Sequence, residues 1–320
     1  MILMVVLAGM VGLTSRSWSG TRGKISQFQQ ARASFDALTS RLSEATLNPV
    51  LDYVDAGGDF REAGDRDFKP ERYVRRSDLR FLSGPGLTGR TGSTTHAVFF
   101  QSPQGISDVL GGLDRMLNTC GFFIELGDDA AWLPSILPAS QAKTRFRLLQ
   151  LVEPTEKLSV YSGGGTSWFQ DSLGTGSGVS TVAENVVALV LLPKLSESDQ
   201  AAGGFDDASL APNYLYDSTV ARAESALNSS NQLPPVVFVL MVAIDEASAA
   251  RMTPVQQSEL KTLLDGLFLA AGSASDRSRP GLAKDLATLG EFLASRGIAY
   301  QVFQSNIALK SAKWSSAQSL

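Results

Sequence analysis

The side chains with the greatest chemical potential are a single histidine, His96, and a single cysteine, Cys120, in a chain of 320 residues. A Ser-His-Asp or Cys-His mechanism would have to use His96, because the nucleophile needs a neighbouring base. His96 lies near the start of the run Thr95–Phe100, which is typical of a strand, and Cys120 lies in an apolar context that favours a small buried side chain. The sequence therefore predicts no catalytic residue and no cofactor, and it offers too few His and Cys ligands for a zinc site.

Three other patterns could bind a ligand. The segment Gly174–Gly178 has the glycines of a phosphate-binding loop but lacks the closing Gly-Lys-Ser/Thr, so we expect a flexible hairpin loop. The acidic pairs Asp128–Asp129 and Asp206–Asp207 could supply calcium ligands, yet neither belongs to an Asp-x-Asp-x-Asp-Gly array. The pair Asp245–Glu246 follows an apolar strand, and we expect it to lie where the chain leaves the core and becomes exposed to solvent. We therefore predict no metal site.

The composition is that of a folded protein without a basic field. Hydrophobic residues make up 43% of the chain, charged residues 19%, and the net charge is -4. This balance argues against disorder and against a nucleic-acid partner. The arginines between Arg72 and Arg80 alternate with apolar residues and indicate a strand with a solvated basic face.

The body of the chain is predicted to be mostly β. Short apolar runs bounded by Gly, Pro, Ser and Asp follow Pro49. Two helices are expected near the C-terminus, Pro254–Ala270 and Pro280–Ser295, before a last strand. Eight strands are predicted: Tyr73–Leu82, His96–Gln101, Gly121–Leu126, Phe146–Glu153, Leu158–Ser162, Val186–Leu192, Val236–Ile244 and Tyr300–Leu309.

The N-terminus is an uncharged apolar run, Met1–Leu13, that continues without Pro into an amphipathic stretch ending near Asn48. A membrane-spanning helix needs about 20 apolar residues, so this run is short for that role. A secretory signal has an apolar region of this length but begins with positive charge, which is absent here. We predict that the run contacts membrane or neighbouring helices through Ile2, Leu3, Met4, Val5, Val6, Leu7, Met10, Val11 and Leu13.

The amphipathic stretch has one apolar stripe at helical spacing. Phe28, Phe35, Leu38 and Leu42 lie on this stripe and are predicted to pack the helix on the sheet. We predict an α+β fold in which one long N-terminal helix, residues 1–48, packs on a mostly antiparallel β domain, residues 49–320. Residues 1–13 would be the remainder of a membrane segment.

This join of apolar start and amphipathic continuation resembles the N-terminal helix of type IV pilins and type II secretion pseudopilins. Residues Gln29–Ala45 are similar to a stretch of the J-type minor pseudopilins. Over nearly the whole chain the sequence resembles the Verru_Chthon cassette protein C family, through Arg76–Gly84, His96–Gln101, Leu151–Pro154, Val242–Arg251 and Ala312–Ser315.

The resemblance implies a non-enzymatic, prepilin-type structural component of a membrane-associated filament or secretion assembly. Its partners would be other pilin-like subunits and the inner membrane, with a single-pass helix and a periplasmic or extracytoplasmic globular domain. The Phe-Thr-Leu-x-Glu start of mature pilins is absent, so we expect that an N-terminal part of the family's helix is missing here. Two alternatives stay open: an exported periplasmic or surface binding domain with a signal-like N-terminus, and a hydrolase using the scattered acids and serines.

Overall fold

The computed structural model describes residues 28–315 except 63, 112, 131–141, 163–164, 206–207, 221–228 and 272–280. Its strands form three antiparallel sheets, and the element order mixes strands with short helices. The strands are β1 Val50–Val54, β2 Arg72–Arg76, β3 Phe81–Pro85, β4 Ser93–Pro103, β5 Leu117–Gly127, β6 Arg145–Glu153, β7 Val179–Glu184, β8 Val186–Lys194, β9 Tyr216–Asp217, β10 Val236–Ile244 and β11 Tyr300–Ala308.

Six strands make the largest sheet, in the order β7-β6-β5-β4-β3-β9, and three make a second sheet, β11-β10-β8. Strands β1 and β2 form a separate two-stranded sheet. The second sheet packs on the first through β8, which contacts β3, β4, β5 and β6. Because β8 and β10 are covered on both faces, they are almost continuously apolar and buried.

The first described helix, α1, covers residues 28–43. Its apolar stripe is buried in the core, and the Phe35 ring stacks on Phe303 of β11 at 5.9 Å between centroids. The Ser34 hydroxyl donates to the Val182 carbonyl of β7 at 3.3 Å. Helix α1 therefore links an edge strand of each large sheet.

The predicted fold is wrong in its one long N-terminal helix, while the two helices expected near the C-terminus are present over Pro254–Asp265 and Leu282–Ser295. The described part of the chain is mostly sheet, and the helix that begins in it at residue 28 is short. Helix α1 ends because the Thr46 N–H pairs with the Gln101 carbonyl of β4 at 2.9 Å, which draws the chain into the sheet. Five further α-helices follow among the described residues: α2 Ser167–Thr175, α3 Glu197–Gly203, α4 Glu246–Arg251, α5 Pro254–Asp265 and α6 Leu282–Ser295.

The membrane predictions are also corrected. Among the described helices, none has the length and apolar character needed to cross a membrane. This finding contradicts the predicted single-pass inner-membrane localisation and the transmembrane terms that went with it. The apolar residues predicted to contact membrane, within residues 1–13, lie outside the described residues.

Several predicted strands differ in their bounds. The predicted strand Tyr73–Leu82 is divided into β2 and β3, because the Asn48 side chain accepts hydrogen bonds from the N–H groups of Asp78 and Leu79 and holds the chain in a turn. The segment predicted as a strand from Leu158 to Ser162 is a turn. Strands β1 and β7 were missed because they have many polar or exposed residues and lack a long apolar run.

Helix α2, which follows β6 in the chain, packs on the large sheet through Phe99 of β4. The Phe169 ring of α2 stacks on Phe99 of β4, with 3.8 Å between centroids, and Trp168 meets Phe99 edge-on. Phe99 lies directly opposite Gly121 of β5, and a Cβ at that glycine would come 2.3 Å from the Phe99 ring. The missing side chain at Gly121 therefore makes room for the ring that joins β4 to α2.

We expect Gly121→Ala to lower the free energy of unfolding by about 1–3 kcal/mol, because the Phe99 ring must leave its stack on Phe169. The matched control is Gly174→Ala in α2, where a Cβ meets nothing within 4 Å. Replacing a helical glycine by alanine should stabilise by up to about 1 kcal/mol. Urea unfolding of both variants checks the pair, and equal effects at the two glycines would contradict the packing described.

Candidate functional site

Strand β4 carries an irregularity near its start that determines where the lone histidine lies. The register between β4 and β5 shifts between Thr94 and Val98. Thr95 within this bulge has a φ of 55°, in the left-handed region that few non-glycine residues adopt. Bulges redirect side chains out of the regular alternation of a strand. Here the bulge brings Thr95 and His96 to the second sheet.

Both side chains bind the free edge of β8. The Leu189 N–H donates to Thr95 Oγ1 at 3.1 Å, and the Leu191 N–H donates to His96 Nδ1 at 2.9 Å. The other edge of β8 pairs with β10. Buried backbone N–H groups need acceptors, so these two side chains replace a missing strand.

The second ring nitrogen of His96 binds the loop after α5. His96 Nε2 lies 2.8 Å from the Phe268 carbonyl oxygen. Because Nδ1 accepts a hydrogen bond from a backbone N–H, the proton is on Nε2, which donates to that carbonyl. On the other side of the Phe268 residue, its N–H donates to Asp285 Oδ2 of α6 at 2.9 Å. The Tyr214 ring packs against the imidazole, with 4.6 Å between centroids.

The titration of this cluster follows from its burial. His96 is fully enclosed, and burial lowers its pKa to about 4 despite its backbone hydrogen bonds. Burial likewise raises the pKa of Asp285, and burial together with the Asp285 charge raises the pKa of Tyr214. His96 is therefore neutral at pH 7, and both its nitrogens are occupied. Such a group joins structural elements and has no free nitrogen with which to act as a base.

The other candidates from sequence are held in structural contacts. Cys120 lies in the core with its sulfur 3.3 Å from Ser102 Oγ, and burial raises its pKa to about 11. Asp245 caps α4 by accepting from the Ser248 N–H at 2.6 Å. Asp129 lies near Arg147, 3.5 Å between Oδ2 and Nη2. The described residues contain no group of three or more His, Cys, Asp or Glu that could hold a metal ion. The pair Asp206–Asp207 lies outside them.

The residues predicted to join helix and sheet occupy α1. Phe35, Leu38 and Leu42 are buried in the core, and Phe28 at the start of the described helix is partly buried. The segment Gly174–Gly178 connects the end of α2 to β7. A Cβ at Gly178 would come 2.4 Å from the Val152 carbonyl oxygen, so this glycine allows the loop to lie against β6.

An exposed feature that the sequence reasoning missed is the loop between β4 and β5. This apolar loop, described over residues 104–111 and 113–116, presents large hydrophobic side chains to water: Val109 is 78% exposed, Leu110 53% and Leu113 52%. Ile106 beside them is 38% exposed. Clustered exposed apolar residues on a folded protein are typical of interaction sites. The sequence does contain a sign of this feature. Val109 and Leu110 stand in a polar, glycine-containing stretch and lack the regular apolar spacing of a buried helix or strand.

The apolar loop is held in place at its base by side-chain hydrogen bonds. Asn118 accepts from the Ile106 N–H at 3.0 Å and donates to the Ile106 carbonyl at 2.7 Å. Further out, the Glu156 carboxylate accepts from the Ser107 hydroxyl and from the N–H groups of Asp108 and Val109. These bonds lower the pKa of Glu156 to about 2, with the bond from Ser107 the largest cause. The loop therefore presents its apolar residues from an anchored base.

A cleft lies at the other end of β4. Its volume is about 320 Å³. One wall comes from the β3–β4 turn and the start of β4, and the other from the end of α5 and the loop that follows it. The lining residues are Pro85, Gly86, Thr88, Gly89, Arg90, Ser93, Thr94, Thr95, Leu264, Asp265, Leu267 and Leu269. Leu267 and Leu269 flank Phe268, whose carbonyl binds His96, so the histidine cluster holds this wall in place.

The apolar loop and the cleft are separated by the length of one strand. The cleft includes Ser93, the first residue of β4, and the loop begins after Pro103, the last. Eleven residues of strand span about 36 Å. The cleft also holds Arg90, which is bound to Glu125 with 2.6 Å between Nε and Oε2. The molecule thus carries an apolar projection at one end and a partly apolar depression at the other.

Comparison with protein-family models, with curated proteins and with solved structures finds no match. The pseudopilin and type II secretion terms therefore have no support and are corrected. Resemblance to the Verru_Chthon cassette protein C family stays a prediction.

The histidine cluster makes a prediction about pH. The pKa of His96 is lower in the folded protein, about 4, than its ordinary 6.5, so the unfolded chain binds a proton more readily between these values. Stability from this group is complete above pH 6.5 and is lost as pH falls toward 4. We expect the free energy of unfolding to fall by about 2 kcal/mol, through His96 alone, when the pH is lowered from about 7.5 to 5.

The measurement is urea unfolding across that range for the wild type and for His96→Asn, whose amide oxygen can still accept from the Leu191 N–H. Because the chain has one histidine, the difference between the two pH profiles isolates it. Asp285 and Glu153, with raised pKa values, contribute with the opposite sign in both proteins. Parallel profiles for the two proteins would refute the buried neutral state.

Proposed function

We propose that the protein is a non-enzymatic structural subunit that assembles head to tail with further copies of itself. In this assembly the apolar loop of one copy inserts into the cleft of the next. The observation that carries the proposal is the placement of loop and cleft at opposite ends of β4. A projection and a depression on different ends of one molecule make a heterologous contact, which repeats along a line when the rotation does not close.

The chemistry of the two surfaces supports this contact. Val109 and Leu110 lie at the exposed part of the loop, and Leu269 is the exposed leucine of the cleft, backed by the buried Leu264 and Leu267. Leu269 is 49% exposed, so part of that surface is free to be covered. Apolar anchors that fill a cleft carry most of the binding energy in protein interfaces. The anchored base of the loop reduces the entropy that would be lost on binding.

The buried chemistry of the molecule supports a structural role. His96 uses both ring nitrogens in bonds between elements, and the Cys120 thiol is enclosed with a raised pKa. Neither group is presented to the cleft. The predicted resemblance to the Verru_Chthon cassette protein C family, for which no biochemical activity is established, agrees with this proposal.

A pair of complementary variants tests it. The loop variant Val109→Ser/Leu110→Ser/Leu113→Ser should weaken association by roughly 2 kcal/mol or more, about thirtyfold, because it removes the anchors. The cleft variant Leu269→Lys should do the same by placing a charge in the apolar wall. Sedimentation velocity over a concentration series is the measurement, and both variants should leave urea unfolding within about 0.5 kcal/mol of the wild type.

The mixing experiment is the sharper half of the test. The loop variant keeps an intact cleft and the cleft variant keeps an intact loop, so an equimolar mixture can form one head-to-tail contact and should associate more strongly than either variant alone, with the two variants paired 1:1 at that contact. Each variant alone should not form this contact. The control is Val255→Ser, which changes a valine of α5 that is 67% exposed and outside both surfaces. A wild type without concentration-dependent association, or a mixture without the pair, would refute head-to-tail assembly.

A further inference from the structure

Edge strands present unpaired N–H and C=O groups, and folded proteins usually block them. In the described part of the chain, most edges of the two large sheets are protected by side-chain hydrogen bonds or by the shortness of the edge strand. The free edge of β8 is bound by Thr95 and His96. The edge strand β7 is only six residues long, and the Ser34 hydroxyl of α1 binds one of its carbonyls. At the other end of the large sheet, β9 is only two residues long.

Strand β11 is the exception. It is nine residues long, about 30 Å, and it ends the order β11-β10-β8 with β10 on one side only. Its sequence, Tyr-Gln-Val-Phe-Gln-Ser-Asn-Ile-Ala, contains no charged residue, no proline and no glycine. Its register with β10 is continuous from Tyr300 to Ala308, without a bulge. Within its described residues β11 therefore has no charge, proline, glycine or bulge to protect its edge, and the contact with α1 is made through Phe303.

The two faces of β11 are supported while its edge is left open. Phe303 on one face stacks on Phe35 of α1. On the other face Tyr300 lies close to Gly290 of α6, where a Cβ would come 2.7 Å from the tyrosine oxygen. Gln304 and Asn306, two residues apart on the same face, are exposed. The strand is thus fixed in an extended form that a second strand could join.

We propose that β11 pairs antiparallel with β11 of a second copy, so that two three-stranded sheets become one six-stranded sheet across a two-fold axis. Two observations indicate that the partner of β11 is β11 of a second copy: the strand is uncharged, and the other edges of the large sheets are blocked. An uncharged strand can meet itself without like-charge repulsion, and two-fold pairing is self-complementary. The other edges of the two large sheets are blocked among the described residues, so the matching free edge in a second copy is β11.

This lateral contact is independent of the head-to-tail contact, because β11 contributes to neither the apolar loop nor the cleft. The full-length loop variant Val109→Ser/Leu110→Ser/Leu113→Ser therefore gives a suitable background. In that background we expect a monomer–dimer equilibrium in sedimentation velocity. A loop variant that stays monomeric up to hundreds of micromolar would overturn the proposal while leaving the result for the head-to-tail contact intact.

Charge placed on the strand tests the pairing directly. Gln304→Lys/Asn306→Lys in the same background should raise the dimer dissociation constant at least tenfold, because lysines from the two copies face each other across the axis. The matched control is Ser180→Lys/Thr181→Lys on the exposed residues of β7, which should leave the dimer unchanged. An unchanged dimer in the β11 variant would overturn the proposal.

A rescue experiment separates pairing from a general loss of folding. Gln304→Glu/Asn306→Glu should also be monomeric, and mixing it with the lysine variant should restore a 1:1 dimer through opposite charges. Hydrogen exchange should show the amides of residues 300–308 more protected in the restored dimer than in either variant alone. If mixing restores no dimer although each variant unfolds like the parent, the two-fold strand pairing is wrong.

Discussion

The fold depends on how one strand edge obtains its hydrogen-bond acceptors. Strand β8 is buried; among the described strands only β10 pairs with it, and its other edge has a single bridge, from Lys194 to Ser209. On the other edge, the N–H groups of Leu189 and Leu191 donate hydrogen bonds to the side chains of Thr95 and His96. A buried N–H without an acceptor costs about 1–3 kcal/mol, so the two side chains are a condition for stacking the sheets in this arrangement. The same histidine holds the loop after α5 through the Phe268 carbonyl.

This constraint also determines where the surfaces lie. The bulge that directs Thr95 and His96 to β8 is at the start of β4, and it forms part of the cleft. The helix predicted to run to Ala270 ends at Asp265, and Phe268 beyond it adopts a φ of 58° as its carbonyl meets His96. Leu267 and Leu269 are thereby placed on the cleft wall. At the far end of β4 the chain leaves the sheet as the apolar loop, so one strand carries both proposed surfaces.

Local patterns allowed much of the sheet to be predicted, but long-range contacts did not follow from them. Strands β8 and β10 are evident in the sequence because burial on both faces gives a continuous apolar run. The final strand β11 is evident because burial on one face gives an alternation of apolar and polar residues. His96 was expected to be a strand residue. Its partners, however, lie 95 and 172 positions away, so its role could not be inferred from its neighbours. The apolar loop was missed because exposure of Val109 and Leu110 depends on the fold, and the end of α1 depends on a pairing with β4 that the helical spacing does not encode.

The protonation of the single histidine tests this account most directly. Nitrogen-detected NMR of the protein labelled with ¹⁵N-histidine gives one pair of ring signals, because the chain has one histidine. At about pH 6 the account predicts a neutral ring with the proton on Nε2 and an unprotonated Nδ1 that accepts from Leu191, with slow exchange of the Nε2 proton because the ring is enclosed. A doubly protonated ring at that pH, or a neutral ring with its proton on Nδ1, would contradict the proposed link between the two sheets.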